Sequence, residues 1–100
     1  MTGYRLIAEP EADADIEAVF AWYEREEPGL GLEFLDELRA AYGRIVDGPL
    51  KYRDLRAGIR RALLRRFPYV VYFVVEESTI VVLAVLHAQR DPATWQRRGG

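Results

Sequence analysis

The apolar positions change their spacing midway along the chain. Ala12, Ile16, Val19, Phe20 and Tyr23 recur at i, i+4, i+7, i+8 and i+11, one face of a helix. Glu9-Pro10-Glu11 reads as that helix's start, because proline suits a first turn and carboxylates complement its positive end. Pro28 and Gly29, in "EEPGLG", break it. A second helix is predicted from about Gly31 to Val46, with Leu35, Leu38, Tyr42 and Ile45 as its stripe and Phe34 and Ala41 widening it. Asp13, Asp15, Glu17 and Glu24 fall off the first stripe and are expected in water.

From about residue 59 the apolar residues run together. Residues 59–67, 69–76 and 79–87 read as strands, and "VVYFVV" and "TIVVLAVL" have the near-continuous character of central strands. Pro68 separates the first two, and Glu77-Ser78 is a tight hairpin connection between the last two. "DGPLKYRDLRAG", residues 47–58, reads as a loop, and residues 4–8 as a short first strand. The order is β-α-α-β-β-β. The expected architecture is one α+β domain over residues 1–100, an N-terminal short strand and a helical hairpin packed on a small antiparallel β-sheet.

Composition narrows the chemistry. One hundred residues, half of them apolar, suffice for one hydrophobic core. No cysteine means no disulfide, thiolate metal site or thiol nucleophile, and the single His87 offers no zinc cluster. No metal or other cofactor is expected. The first residues lack a signal-peptide pattern and no apolar run is long enough to span a bilayer, so the expected location is the cytoplasm, with no membrane partner. The carboxylate groups at 13–17 and 24–27 read as solvated helix surface.

Charge is divided between the halves. Residues 1–50 carry twelve Asp/Glu against four Arg, and residues 51–100 ten Lys/Arg against four Asp/Glu. That split fits either a basic surface for a polyanion or acidic partner, or acidic helices attracting a basic sheet. In "IRRALLRRFPYVVYFVV", residues 59–75, Arg60–Arg61 and Arg65–Arg66 lie on a predicted strand. Alternation puts Arg61 and Arg65 on one face, Arg60 and Arg66 on the other, so two guanidiniums should face away from the helices. Unpaired buried charge is costly, which leaves two readings: a solubilising edge, or a working basic face. The tail "LHAQRDPATWQRR" adds His87, Arg90 and Trp95, residue types that transfer protons, offset phosphorane charge and stack on bases. Trp95 has a second reading, as the residue that locks the tail to the sheet.

Two stretches carry a resemblance. "EAxxDIExxxxWYExxxPGLGxxFLDEL" and "IRRALLRRFPYVVYFVVEESTIVVLAVLHAQRDPATW" are similar to the RelE/ParE superfamily of bacterial type II toxins, with the elements in that family's order over almost the whole chain. The resemblance implies a toxin neutralised by a cognate antitoxin protein. RelE-like members cleave mRNA on the ribosome without metal. In that case Arg61, Arg65, His87 and Arg90 are the catalytic candidates. ParE-like members inhibit DNA gyrase, and Arg60, Arg61, Arg65, Arg66, Arg90 and Trp95 then become partner- or nucleic-acid-binding candidates. Val70 follows Tyr69 where RelE-like sites carry a basic residue, and Trp95 stands where a tyrosine commonly serves. The expectation is therefore a ParE-like gyrase inhibitor, with a RelE-like nuclease and an inactive antitoxin-binding member as alternatives.

Overall fold

A computed structural model describes residues 3–99. Along them run β1 (Arg5–Ala8), α1 (Pro10–Glu26), α2 (Leu30–Asp47), a 3₁₀ turn (Pro49–Lys51), β2 (Asp54–Arg56), β3 (Ile59–Leu63), β4 (Tyr69–Glu76), β5 (Thr79–His87) and α3 (Pro92–Gly99). The strands form one sheet in the order β1-β5-β4-β3-β2. The two most apolar strands, β4 and β5, are central, as their continuous runs require. The sheet is mixed and not purely antiparallel, because β1 pairs with β5 in parallel while every other pair is antiparallel. The crossover that parallel pairing needs is supplied by the α1–α2 hairpin and the strands after it.

The helical hairpin covers one sheet face. Ala12, Phe34, Leu38, Ala41 and Ile45 meet Ala62, Leu64, Phe67, Val71, Phe73, Ile80, Val82 and Val85 in the main core. Each fully buried aliphatic side chain contributes about 1.5–3 kcal/mol, so this layer dominates the stability. At the hairpin's tip Glu24 accepts from the amides of Gly29 (3.0 Å) and Gly31 (2.8 Å), so it is a loop clamp and not a solvated residue. Gly31 lets α1 and α2 approach closely: a β-carbon there would lie 2.8 Å from the Phe20 carbonyl oxygen.

The opposite face has its own, smaller core of Ile59, Val70, Tyr72, Val81, Leu83, Ala84, Leu86 and Trp95. Its cover is α3, which the tail reading does not include. Asp91 caps α3 by accepting from the Ala93 amide (3.0 Å), and Pro92 follows at the first helical position.

Three further expectations are corrected. The strand expected over 59–67 ends at Leu63, and residues 64–68 turn, so Arg65 and Arg66 leave the sheet. The loop expected over 47–58 holds the edge strand β2, closed by Ala57 (φ 51°) and Gly58 (φ 85°), with the Asp54 carboxylate accepting from the Gly58 amide (3.1 Å). Asp15 is bonded and only 14% exposed, because β1 is too short to pair with all of β5. Past the Ala8–Val82 pair, Asp15 accepts from the Val85 amide (2.9 Å), and Arg98 of α3 donates to the Leu83 carbonyl (3.0 Å). Arg98 also binds both oxygens of Asp15 (2.8 and 3.1 Å). Two side chains thus finish the edge that a longer β1 would have paired.

Candidate functional site

The sheet's two faces separate the candidate residues. Ala62 joins the main core and Ile59 the smaller one, so along β3 the residue between them in phase, Arg61, points to the α3 side and Arg60 to the helix side. Arg60 donates to the Tyr52 carbonyl, a bond that satisfies its half-buried guanidinium. Arg61 lies beside the Tyr72 hydroxyl. Burial pushes that hydroxyl's pKa up, and the neighbouring guanidinium offsets part of the rise. One strand guanidinium, not two, faces away from the helices, because the strand ends before Arg65.

Arg65 and Arg66 are held at the turn by α2. Glu37 accepts from both backbone amides (3.1 and 3.2 Å), and Arg66 pairs with Glu37 (3.5 Å) and Glu33 (3.6 Å). Part of the charge split is therefore internal attraction between helix and sheet halves. Arg65, by contrast, keeps a solvent-facing side chain with no ion pair among the described residues. Desolvation pushes the Glu37 carboxyl up, but the amides of Arg66 and Arg65 and the Arg66 guanidinium outweigh it and hold it below its ordinary value. A depressed carboxylate stabilises above its unfolded-state pKa, and the contribution is lost as pH falls through the lower folded-state value. The turn 64–68 is therefore expected to loosen in that acid range, with Glu37→Gln abolishing the acid step; amide exchange at Arg65 and Arg66 against pH is the check.

His87 lies at the end of β5, and a bulge decides its side. Tyr72 pairs with Ala84 and Phe73 with Val82, leaving Leu83 as an extra residue. Without it, His87 would point to the α3 side. With it, Ala84 and Leu86 face α3, Val85 faces the helices, and His87 packs edge-on against Tyr69 with ring centres 5.4 Å apart. The Gln89 amide donates to His87 Nδ1 (3.1 Å). An amide N–H can only donate, so Nδ1 carries the lone pair and the neutral ring keeps its proton on Nε2.

Arg90 follows in the turn after β5 and, with Tyr69, His87 and Asp15, lines a cavity of about 160 Å³. Trp95 is 8% exposed and stacked face-on upon Tyr72 (5.1 Å, interplanar 12°), so one face of its indole is already occupied. Of the four catalytic candidates, His87 and Arg90 come together. Arg61 is on the opposite sheet face and Arg65 at the turn. Among the described residues no three His, Asp or Glu side chains gather as metal ligands, and no helix is long and apolar enough to cross a membrane.

Sequence reasoning missed an aromatic site on the helix side. Trp22, Tyr23, Pro68, Tyr69 and His87 surround a cavity of about 440 Å³. Trp22 falls outside the α1 stripe and remains 48% exposed, meeting Tyr23 edge-on at 5.1 Å. An exposed tryptophan beside the apolar stripe was the available signal.

Comparison with known proteins places the fold and the chain. The family described as "ParE toxin of type II toxin-antitoxin system, parDE" matches residues 6–92. Among solved structures, a chain of the chromosomal ParDE toxin–antitoxin system from P. aeruginosa aligns with a TM-score of 0.75 at 19% identity, covering 84% of this chain and 95% of that one. A chain of the RelBE2 toxin–antitoxin complex from Mycobacterium tuberculosis aligns with a TM-score of 0.60 at 23% identity, covering 86% and 99%. No curated protein matches.

Proposed function

Because the chain belongs to the ParE toxin family of type II toxin–antitoxin systems, we propose that it acts without cleaving RNA, by inhibiting DNA gyrase, and that a cognate antitoxin holds it inactive. The single observation that carries the non-nucleolytic part is the His87 tautomer. A general base at Nε2 needs a lone pair there, whereas the solvent-exposed hydrogen bond from the Gln89 backbone N–H to Nδ1 favours the neutral tautomer with its proton on Nε2. The dispersal of the arginines supports the same reading. Metal-free phosphoryl transfer needs cations converging on one phosphate, whereas Arg61 and His87 lie on opposite sheet faces and Arg66 is engaged by Glu33 and Glu37. Gyrase as target comes from the family's likeness to ParE, and the exposed Arg65 and Arg90 are the docking cations in this reading.

Expression without antitoxin, with translation and DNA supercoiling followed in the same culture, is the test. The expected result is filamentation and impaired supercoiling with intact mRNA. An early arrest of translation with cut mRNA, abolished by Arg65→Ala and by His87→Ala, would overturn the proposal in favour of the ribosome-dependent nuclease.

A further inference from the structure

From the unpaired outer edge of β1 we infer that the chain associates with a second copy of itself, β1 against β1, around a two-fold axis at Leu6. The inference does not depend on the gyrase proposal, since it concerns how the toxin assembles and not which enzyme it stops.

The sheet has two edge strands and blunts only one of them. β2 is three residues long and its register slips between Asp54 and Arg56, and both features discourage a further strand. β1 is regular: Arg5, Leu6, Ile7 and Ala8 pair in step with Thr79, Ile80, Val81 and Val82. The Arg5 amide donates to the Ser78 carbonyl (2.9 Å) and the Glu9 amide to the Val82 carbonyl (2.9 Å), so Arg5, Ile7 and Glu9 turn their main chain towards β5. Alternation then points the N–H and C=O groups of Tyr4, Leu6 and Ala8 outward, where the sheet has no further strand. Antiparallel pairing centred on Leu6 satisfies them. Leu6 exchanges both bonds with Leu6 of the second copy, and Tyr4 exchanges both with Ala8 of the second copy. Such a contact uses the same patch twice and closes after two copies.

The side chains along the edge fit this reversal. Leu6 and Ala8 pack against the main core, which puts Arg5, Ile7 and Glu9 on the α3 side. Glu9 keeps an extended backbone (φ -66°, ψ 153°), so the alternation carries up to Pro10, and Glu9 shares a cavity with Leu83 and Arg98 on that side. The row therefore reads cation, apolar, carboxylate, and a two-fold axis sets its cation beside the carboxylate of the second copy. Ile7 lies opposite Arg5 of the second copy and diagonal to Ile7 of the second copy. Arg5 lies diagonal to Glu9 of the second copy, a spacing of about 7–8 Å that long side chains span. Glu9 itself faces Gly3 of the second copy, which has no side chain to obstruct it.

These groups are available. Ile7 is 44% exposed, and neither Arg5 nor Glu9 has an ion-pair partner among the described residues. A charge on an edge strand ordinarily repels a second strand, but here the second copy brings the opposite charge to it. That self-complementarity is the argument for a second copy over an unrelated strand.

Sedimentation equilibrium of the full chain, free of antitoxin, tests this. A monomer–dimer equilibrium in the micromolar range is expected, as suits an interface at the small end of the specific ones. Amide exchange at Leu6 and Ala8 should slow as concentration rises through that range, a readout that needs no substitution. Arg5→Glu, at an exposed position, should weaken association about tenfold by setting carboxylate against carboxylate, and Glu9→Arg should do the same with guanidiniums. Both changes in one chain should restore it. A chain that stays monomeric at hundreds of micromolar overturns the inference, as does a dimer that Arg5→Glu leaves intact or that the double variant fails to restore. Protection of Leu6 and Ala8 only on adding antitoxin overturns it too, and assigns the edge to an antitoxin strand.

Discussion

Phe34→Ala is expected to destabilise the fold by about 3–5 kcal/mol, the cost of emptying a fully buried aromatic position. Phe34 has no exposed surface and sits where α2 meets the sheet. Its ring centre is 5.9 Å from Tyr23, 5.7 Å from Phe67 and 5.7 Å from Tyr69. These neighbours come from α1, the 64–68 turn and β4, so none can move into the void without pulling on another element. A domain of this size unfolds with about 5–15 kcal/mol, so the loss is about a fifth or more of the total. The midpoint of thermal unfolding should fall by roughly 12–40 °C, taking about 4–8 °C per kcal/mol. Phe34→Leu, which keeps most of the volume, should lose less than half as much. A midpoint within a few degrees of the parent protein would show that the aromatic cluster is not what joins hairpin to sheet.

How far the sequence revealed this arrangement varies by element. The helices were legible because a stripe repeating every three or four residues has one physical solution when the chain also carries a strand-rich half to cover. Leu38 and Ile45 are buried as that stripe requires, while the burial is centred one position earlier than read, on Phe34 and Ala41, leaving Leu35 and Tyr42 half-buried. The central strands were legible from unbroken apolar runs. What the sequence hid were features set by neighbours in space. Alternation from Val82 puts His87 on the wrong face, because one extra residue, Leu83, reverses the phase for the rest of β5, and nothing in "IVVLAVLH" marks where a bulge falls. Arg65 and Arg66 look like strand residues until Glu37, some thirty positions earlier, is seen to hold their amides. The start of α3 was written in "RDPATW", an acidic cap followed by proline, but the tail's arginines and tryptophan drew attention to chemistry instead. The aromatic cavity could be suspected only from Trp22, since beyond Tyr23 its walls are brought in from two distant segments, Pro68–Tyr69 and His87.

Asp15 is the residue on which sequence and structure differ most, and Asp15→Ala is the second large effect expected, about 2–4 kcal/mol. Off the apolar stripe of α1, it has the sequence signature of a solvated acid. In the fold it stands in for the backbone that β1 is too short to provide. Removing it strips the Val85 amide of its partner and leaves Arg98 without its carboxylate at a partly buried site, the side chain of Arg98 being 22% exposed. Arg98→Ala should cost less, about 1–2 kcal/mol, since Asp15 still satisfies Val85 and water can reach the freed Leu83 carbonyl. The double variant should lose less than the two singles together, because once Asp15 is gone Arg98 has only Leu83 to hold. Amide exchange at Val85 separates this account from a simple surface ion pair: it should accelerate strongly in Asp15→Ala and little in Arg98→Ala. Equal protection of Val85 in both would mean that the edge of β5 is closed by something other than this carboxylate. If the asymmetry holds, the C-terminal helix is fastened through a residue of the first helix. The cover over Tyr72 and Leu83 then depends on the correct seating of α1, so damage to the hairpin should release α3 before it unfolds the sheet.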